Sequence, residues 1–545
     1  MCPPMCMPRG PAIATHGPFK KGACSHDRLT PRPTSSPTQS NSARIRHIVH
    51  FYRHVFMRTL TYLKRDVMKS KSEQPCLYRY LRSIPGLLLV SFAFTITGCS
   101  GNEVSPTSNT AVPATLNSDI LSVPLSATET DRFLAVTATI ENQYYAAGFT
   151  TVANDSQMTV ARFGVTGGLD TSFGSNGITT VNVAVGTGKT AELARSIVVQ
   201  SDGKIVIAGP IEHDTAAAGD AARDTDIAVV RLEATGQLDQ TFGNKGITRL
   251  DLSTGKIAGT AFRGDTAWGL TLLPGDKLLL IGGKAADGAD RSDSDYAVLK
   301  LTANGTRDNT FGTNGLVTLD IGKGNDNPRT ALVQPDGKIV VSGHTSDAGV
   351  VTTVLFRLLS DGQFDTSFGR DGVVNVALLP FVAEAYDVAL QGTNLVIAGY
   401  GRDTSAGTVD IISARFLSDG TWDKSYGDAG LTTIDVTGQD DRSRTVRVLP
   451  DQRVLIVGQG KQTATTQDGV VVLLTPSGQR ETKLNGNGVA LIDLGGSNDA
   501  LFGLALSPDL TTAVAVGWEG VISTDSNPTN NDDARVVRFS LSFPS

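Results

Sequence analysis

Six residues at equivalent points of a repeated segment, Arg195, Trp268, Arg329, Tyr386, Arg444 and Phe502, alternate between guanidinium and aromatic side chains. Such a set suits an anionic or glycan-like ligand, because rings stack on sugar faces while guanidiniums supply charged hydrogen bonds. The plainer reading is that these side chains wedge between neighbouring units and bind nothing. Other chemistry-bearing residues are sparse. Beyond residue 98 the histidines are His213 and His344, and the cysteines stand at 2, 6, 24, 76 and 99. The body of the chain therefore has no disulfide, thiolate metal site or cysteine nucleophile. It also lacks a Gly-rich phosphate loop, a nucleophile elbow and an HExxH motif, and no recurring Ser/His/Asp set can be assembled. No catalytic residue, cofactor or metal site is assigned.

What must position those six residues is a repeat. The phrases LDTSFGSNG (169–177), LDQTFGNKG (238–246), RDNTFGTNG (307–315), FDTSFGRDG (364–372) and WDKSYGDAG (422–430) recur, with a worn sixth copy, RETKLNGNG, at 480–488. Self-similarity at such a period signals a repeat architecture. Each aspartate, Asp170, Asp239, Asp308, Asp365 and Asp423, follows an Arg or Lys by eight residues. In the worn copy the base becomes Leu473 as the acid becomes Glu481. This joint change predicts a structural ion pair or turn cap rather than a calcium loop, since the D-x-[DN]-x-[DN]-G pattern is absent. The aromatic position (Phe173, Phe242, Phe311, Phe368, Tyr426) is expected to plug the gap between units.

Each unit divides into four strand-like runs. In the copy near 195–250 these are RSIVVQ (A), KIVIAG (B) after the tight turn SDG, IAVVRLE (C) and ITRLDL (D). Glycines at 148, 209, 282, 343, 399, 458 and 517 mark seven B strands. A lone D-like run, ILSVPLS (120–126), precedes the first A strand, and the C-like run ARVVRFSLS (534–542) has no D strand after it. The first strand can complete the last unit, so the expectation is an all-β, seven-bladed β-propeller of four-stranded blades with a closed ring over 119–545. B–C and D–A connections vary in length while the C–D connection is constant. Individuality, and with it any ligand site, is expected on the B–C/D–A face. His213, His344 and the Asp-rich insert DGADRSDSD (287–295) are placed in B–C loops there and read as solvated.

The DGK-[IV]-hydrophobic-AG and LDxxFGxxG phrases resemble the delta-60 repeat family of bacterial surface proteins. That resemblance covers about 119–545 and implies a β-propeller while leaving the biochemical role open.

The ends of the chain differ in charge. Residues 1–98 carry 15 Lys/Arg and 3 Asp/Glu, so of the totals 48 and 54 the remainder holds 33 and 51, a net −18. An acidic body without a basic patch argues against nucleic acid as a partner. The apolar run from Ile84 to Thr97 has the length of a signal-peptide h-region and ends at Ile96-Thr97-Gly98-Cys99. This is similar to the lipobox of bacterial lipoproteins, and the resemblance implies lipidation at Cys99, with Ile96 standing where the family prefers Leu. The domain reading is then 1–67 as an extension from start-site choice, 68–98 as signal peptide, 99–118 as a flexible tether and 119–545 as propeller. Ser100 implies the outer membrane in a Gram-negative host. The expected protein is a monomeric cell-envelope lipoprotein that binds a protein, peptide or glycan and touches the membrane through its lipid alone. The rival is a hydrolase or lyase acting on an envelope or extracellular polymer.

Overall fold

A computed structural model describes residues 116–541 apart from short internal stretches, of which 185–191, 213–223 and 521–531 are the longest. Cys99, the segments 1–67 and 68–98, and His213 lie outside the described residues. Among the described residues the named elements are all strands. They form consecutive antiparallel A-B-C-D sheets. The second, for example, runs Ser196–Val199, Ile205–Glu212, Thr225–Leu232 and Ile247–Leu250. Two such sheets are joined by a parallel bridge between Val351 and Val382. The strand Ser118–Val123 pairs antiparallel with Asp533–Ser540, the C strand of the last sheet, with Ser118 opposite Phe539. The long connection near 251–266 carries a small hairpin, Lys256–Ala258 with Ala261–Arg263.

The sheets bury both faces of their B strands. Ile205 and Ile207 point into a cluster with Tyr145, Val160 and Phe173 of the preceding sheet. Val206 and Ala208, on the opposite face, pack with Leu278 and Leu280 of the following one. Period-two alternation thus sends successive residues into two different cores, which is why these strands read as unbroken apolar runs. Phe133, Tyr144 and Phe163 of the first sheet pack in the same way on Val514, Val516 and Val536 of the last.

The repeated phrase is the joint between these sheets. Its aromatic residues Phe173, Phe242, Phe311, Phe368 and Tyr426, and Leu484 in the worn copy, are fully buried. Arg231 Nε meets Asp239 Oδ2 at 2.7 Å, Arg357 meets Asp365 at 2.8 Å and Arg415 meets Asp423 at 2.7 Å. The aspartate's other oxygen caps the turn, as Asp239 Oδ1 does by accepting from Thr241 N–H at 2.9 Å. Expected as alternatives, ion pair and turn cap occur together. The same guanidiniums reach the next sheet: Arg231 donates to Ala303 O at 2.6 Å and Arg415 to Pro476 O at 3.0 Å. Lys300 departs from the pattern, standing 3.9 Å from Asp308 while Lys277 takes that carboxylate at 2.7 Å. A backbone clasp recurs beside each of the five aromatic plugs, with Gly243 N–H on Asn304 O at 3.0 Å and Gly369 N–H on Asp419 O at 2.8 Å.

Candidate functional site

The B-strand glycines that count the units have a shared physical reason. A Cβ added to Gly148, Gly209, Gly282, Gly343, Gly399, Gly458 or Gly517 would lie 1.6–2.3 Å from a carbonyl oxygen of its own A strand. That carbonyl approaches because the A strand bulges there. Register slips by one residue at Phe133/Ala135, Ala267/Gly269, Pro328/Thr330, Ala385/Asp387, Ser443/Thr445 and Leu501/Gly503. The extra residues are Leu134, Trp268, Arg329, Tyr386, Arg444 and Phe502. Arg195 stands at the equivalent point just ahead of Ser196–Val199, where the Leu193 carbonyl meets Gly209. A bulge re-aims the side chain it frees, and here all seven line one cavity of about 340 Å³.

The six residues read from the sequence are therefore neighbours, and they stack in order. Arg195 lies over Trp268 at 4.1 Å. Arg329 is sandwiched between Trp268 at 4.2 Å and Tyr386 at 4.6 Å. Arg444 lies between Tyr386 at 4.6 Å and Phe502 at 5.1 Å. Leu134 fills the seventh place and packs with Phe502 and Trp518. Its apolar side chain and the unusual first turn, ENQ in place of DGK, hid it from the sequence comparison.

With ring faces covering the guanidinium planes, what remains is their N–H edges. The Nε donors of Arg195, Arg329 and Arg444 are buried and have no hydrogen-bond partner. Among the described residues Arg195 and Arg444 have no carboxylate partner, and Arg329 has Glu384 at 3.8 Å. Burial draws Arg195 down to about 10, and the neighbouring Arg329 and Arg444 add to that effect although Tyr386 opposes it. Burial alone would push the Tyr386 phenol up, yet Arg329, Arg444 and Arg195 together hold it below its ordinary value. The cavity is an electropositive spot in an acidic protein.

Two expectations about this face are corrected. His344 is not in a loop: the B strand runs on through it as Ile339–Asp347 and reverses at Ala348-Gly349, both with positive φ. It is buried, with Nε2 3.4 Å from Glu384 Oε2, and burial with Arg329 nearby keeps it neutral, well below its ordinary pKa. Glu384 and Arg132 stand at one equivalent point, two residues before the bulge, and Tyr400 follows the B-strand glycine; they escaped notice because the residue type at those points changes from sheet to sheet. The insert 287–295 is not simply solvated either. Asp293 and Asp295 are buried, and Arg291 reaches Asp293, Asp295 and Asp320.

No curated protein matches the sequence. Among solved structures, the chain is similar to the polysaccharide lyase Uly1 at 10% identity, covering 76% of this chain and 90% of that one, with a TM-score of 0.43. A PL25 ulvan lyase bound to -[GlcA(1-4)Rha3S]- matches at 12% identity over 75% and 94%, TM-score 0.41. Sqt1 from Chaetomium thermophilum, bound to the N-terminus of ribosomal protein L10, matches at 12% over 76% and 97%, TM-score 0.34. Residues 200–242, 276–311 and 334–368 match the model of a β-propeller domain of unknown function, DUF5122. Sheet order, recurring joint and this match agree that the chain is a β-propeller repeat protein.

Proposed function

We propose that the sheets form a closed ring of seven blades and that the protein is a binding module taking an anionic group of a glycan, peptide or protein into the channel mouth. The ring is supported by the pairing of Ser118–Val123 with the last C strand and by contact of the first A strand, Asp131–Ala138, with the last, Ala500–Leu506. The binding reading rests on one observation: three buried guanidinium Nε donors without acceptors converge on one cavity. Unmatched buried donors are costly, and a carboxylate or sulfate presented edge-on would satisfy them. Recognition of this kind needs no catalytic group. A short tether from a lipidated Cys99, ending before the strand Ser118–Val123, would display the module in the bacterial envelope. Labelling with a radioactive fatty acid, abolished by Cys99→Ala, tests that anchor.

The binding test is titration of the full chain with uronate-containing and sulfated oligosaccharides and with acidic peptides. Each lost charge-assisted bond is worth about 1.5–3 kcal/mol, so Arg444→Met should weaken binding by about tenfold or more. Equal binding by an Arg195→Met, Arg329→Met, Arg444→Met triple variant would sink the reading. A second reading, a lyase, is favoured by Tyr386 at the cavity wall, whose phenol Arg329, Arg444 and Arg195 hold below its ordinary value, the direction that favours its acting as a base. Appearance of unsaturated uronate products from an acidic polysaccharide, lost in Tyr386→Phe, would support it.

A further inference from the structure

Where one sheet meets the next, three further positions recur. They lie near the start of a C strand, just past the following D strand, and near the start of the next A strand. Four junctions carry aspartate at all three: Asp226/Asp251/Asp265, Asp295/Asp320/Asp326, Asp410/Asp435/Asp441 and Asp468/Asp493/Asp499. In each set one oxygen per carboxylate lies within 4.8 Å of the others. That is the span of two calcium–oxygen bonds of about 2.4 Å placed end to end. The first two members are always 25 residues apart, as 410 and 435 are. The equivalent positions at another junction are Thr352, Ala377 and Ala383, so there all three acids are absent together.

The four sets differ in what answers their charge. In the second, Arg291 stands in the cluster, with Nη1 2.8 Å from Asp320 and Nη2 3.3 Å from Asp295. In the first, Arg249 stands 3.6 Å from Asp226 and Ser253 Oγ donates to Asp265 at 2.6 Å. Among the described residues, no Lys or Arg pairs with any carboxylate of the third and fourth sets. Asp441 is completely buried and accepts from Val436 N–H through Oδ2 at 2.7 Å, while its buried Oδ1 has no partner. Asp410 Oδ1 is likewise buried and unpartnered. Asp499 repeats the arrangement, with Oδ2 on Leu494 N–H at 2.7 Å and Oδ1 unpartnered. A buried carboxylate oxygen with neither donor nor cation is costly.

We propose that Asp410, Asp435 and Asp441 bind one calcium ion, and that Asp468, Asp493 and Asp499 bind a second. The ion completes the oxygens that the chain leaves unmatched and ties two sheets together, as Arg291 does at the second junction. Each site grades from the surface to the core, Asp435 being exposed and Asp441 buried, which gives the ion a path in. This revises the expectation of no metal, and it is independent of what the channel binds.

The test is calorimetric titration of calcium into full-length protein stripped with chelator. Wild type should take up two equivalents, Asp435→Asn one, and Asp435→Asn with Asp493→Asn none. Both substituted side chains are exposed, so urea midpoints in chelator should match wild type and separate loss of binding from loss of fold. Arg291→Ala should open the second junction and add a third equivalent. No uptake by wild type at millimolar calcium, or undiminished uptake by the double variant, would overturn the proposal.

Discussion

Replacing Gly399 by alanine tests whether the bulges govern the architecture. The new Cβ would sit 1.7 Å from Glu384 O, a backbone atom that no rotamer change can move. A tolerable carbon–oxygen contact is about 3.3 Å, so the A and B strands must part by about 1.6 Å at that point. Overpacking of this kind costs ~1–3 kcal/mol. Losing one ladder hydrogen bond adds ~1 kcal/mol, giving about 2–4 kcal/mol in all. The matched control is Gly168→Ala, where an added Cβ meets nothing within 4 Å. Its φ is not in the left-handed region, so that change should be neutral or stabilise by up to ~1 kcal/mol. Urea unfolding followed by circular dichroism reads both. The argument fails if Gly399→Ala lies within about 0.5 kcal/mol of wild type, the range of an ordinary surface substitution.

Other expectations concern the joints and the buried acids. Phe242→Ala should cost ~3–5 kcal/mol in the same assay. Phe242→Leu should cost less than half of that, since Leu484 fills the equivalent place. Asp365 is held below its ordinary range: burial opposes this, but Ser367, Lys338 and Arg357 outweigh it. A depressed carboxylate contributes stability above its unfolded pKa, near 3.8, and loses it as pH falls through the lower folded value. Urea midpoints should therefore fall below about pH 4, less steeply in Asp365→Asn. Glu192 has the opposite sign, raised to about 7 chiefly by burial, with Val183 and Ala184 N–H opposing and Glu212 reinforcing. Its contribution is present below its unfolded pKa and fades as pH rises through 7. Glu192→Gln should flatten the decline of the urea midpoint between pH 5 and 8.

Strands, joints and rim residues are legible in the sequence because each belongs to a single unit and recurs in phase. The Arg231–Asp239 pair could be read from an eight-residue spacing alone. Leu134 could not, because only its bulge, and not its side chain, resembles its counterparts. The aspartate sets were hidden for another reason. Asp410 and Asp435 belong to one unit and Asp441 to the next, so no window aligned on one repeat contains all three. The 25-residue interval was the available signal. His344 was misplaced because the B strand's glycine marks its bulge partner rather than its end, and the strand continues four residues further.

The pairing of Ser118 with Phe539 has a consequence for how the chain is made. The strand Ser118–Val123 leaves the ribosome first among the described elements, and its partner leaves last. At roughly 5–20 residues per second the wait is on the order of half a minute. Joining ends so far apart costs ~5 kcal/mol of chain entropy, far more than one hairpin requires. Throughout that interval the last sheet's place for a fourth strand is undefined, and the first strand keeps an unpaired edge. A neighbouring nascent copy carries an identical strand. Another copy thus offers the same strand to the same open edge, and exchange of that strand between two copies is the misassembly to which this closure is open.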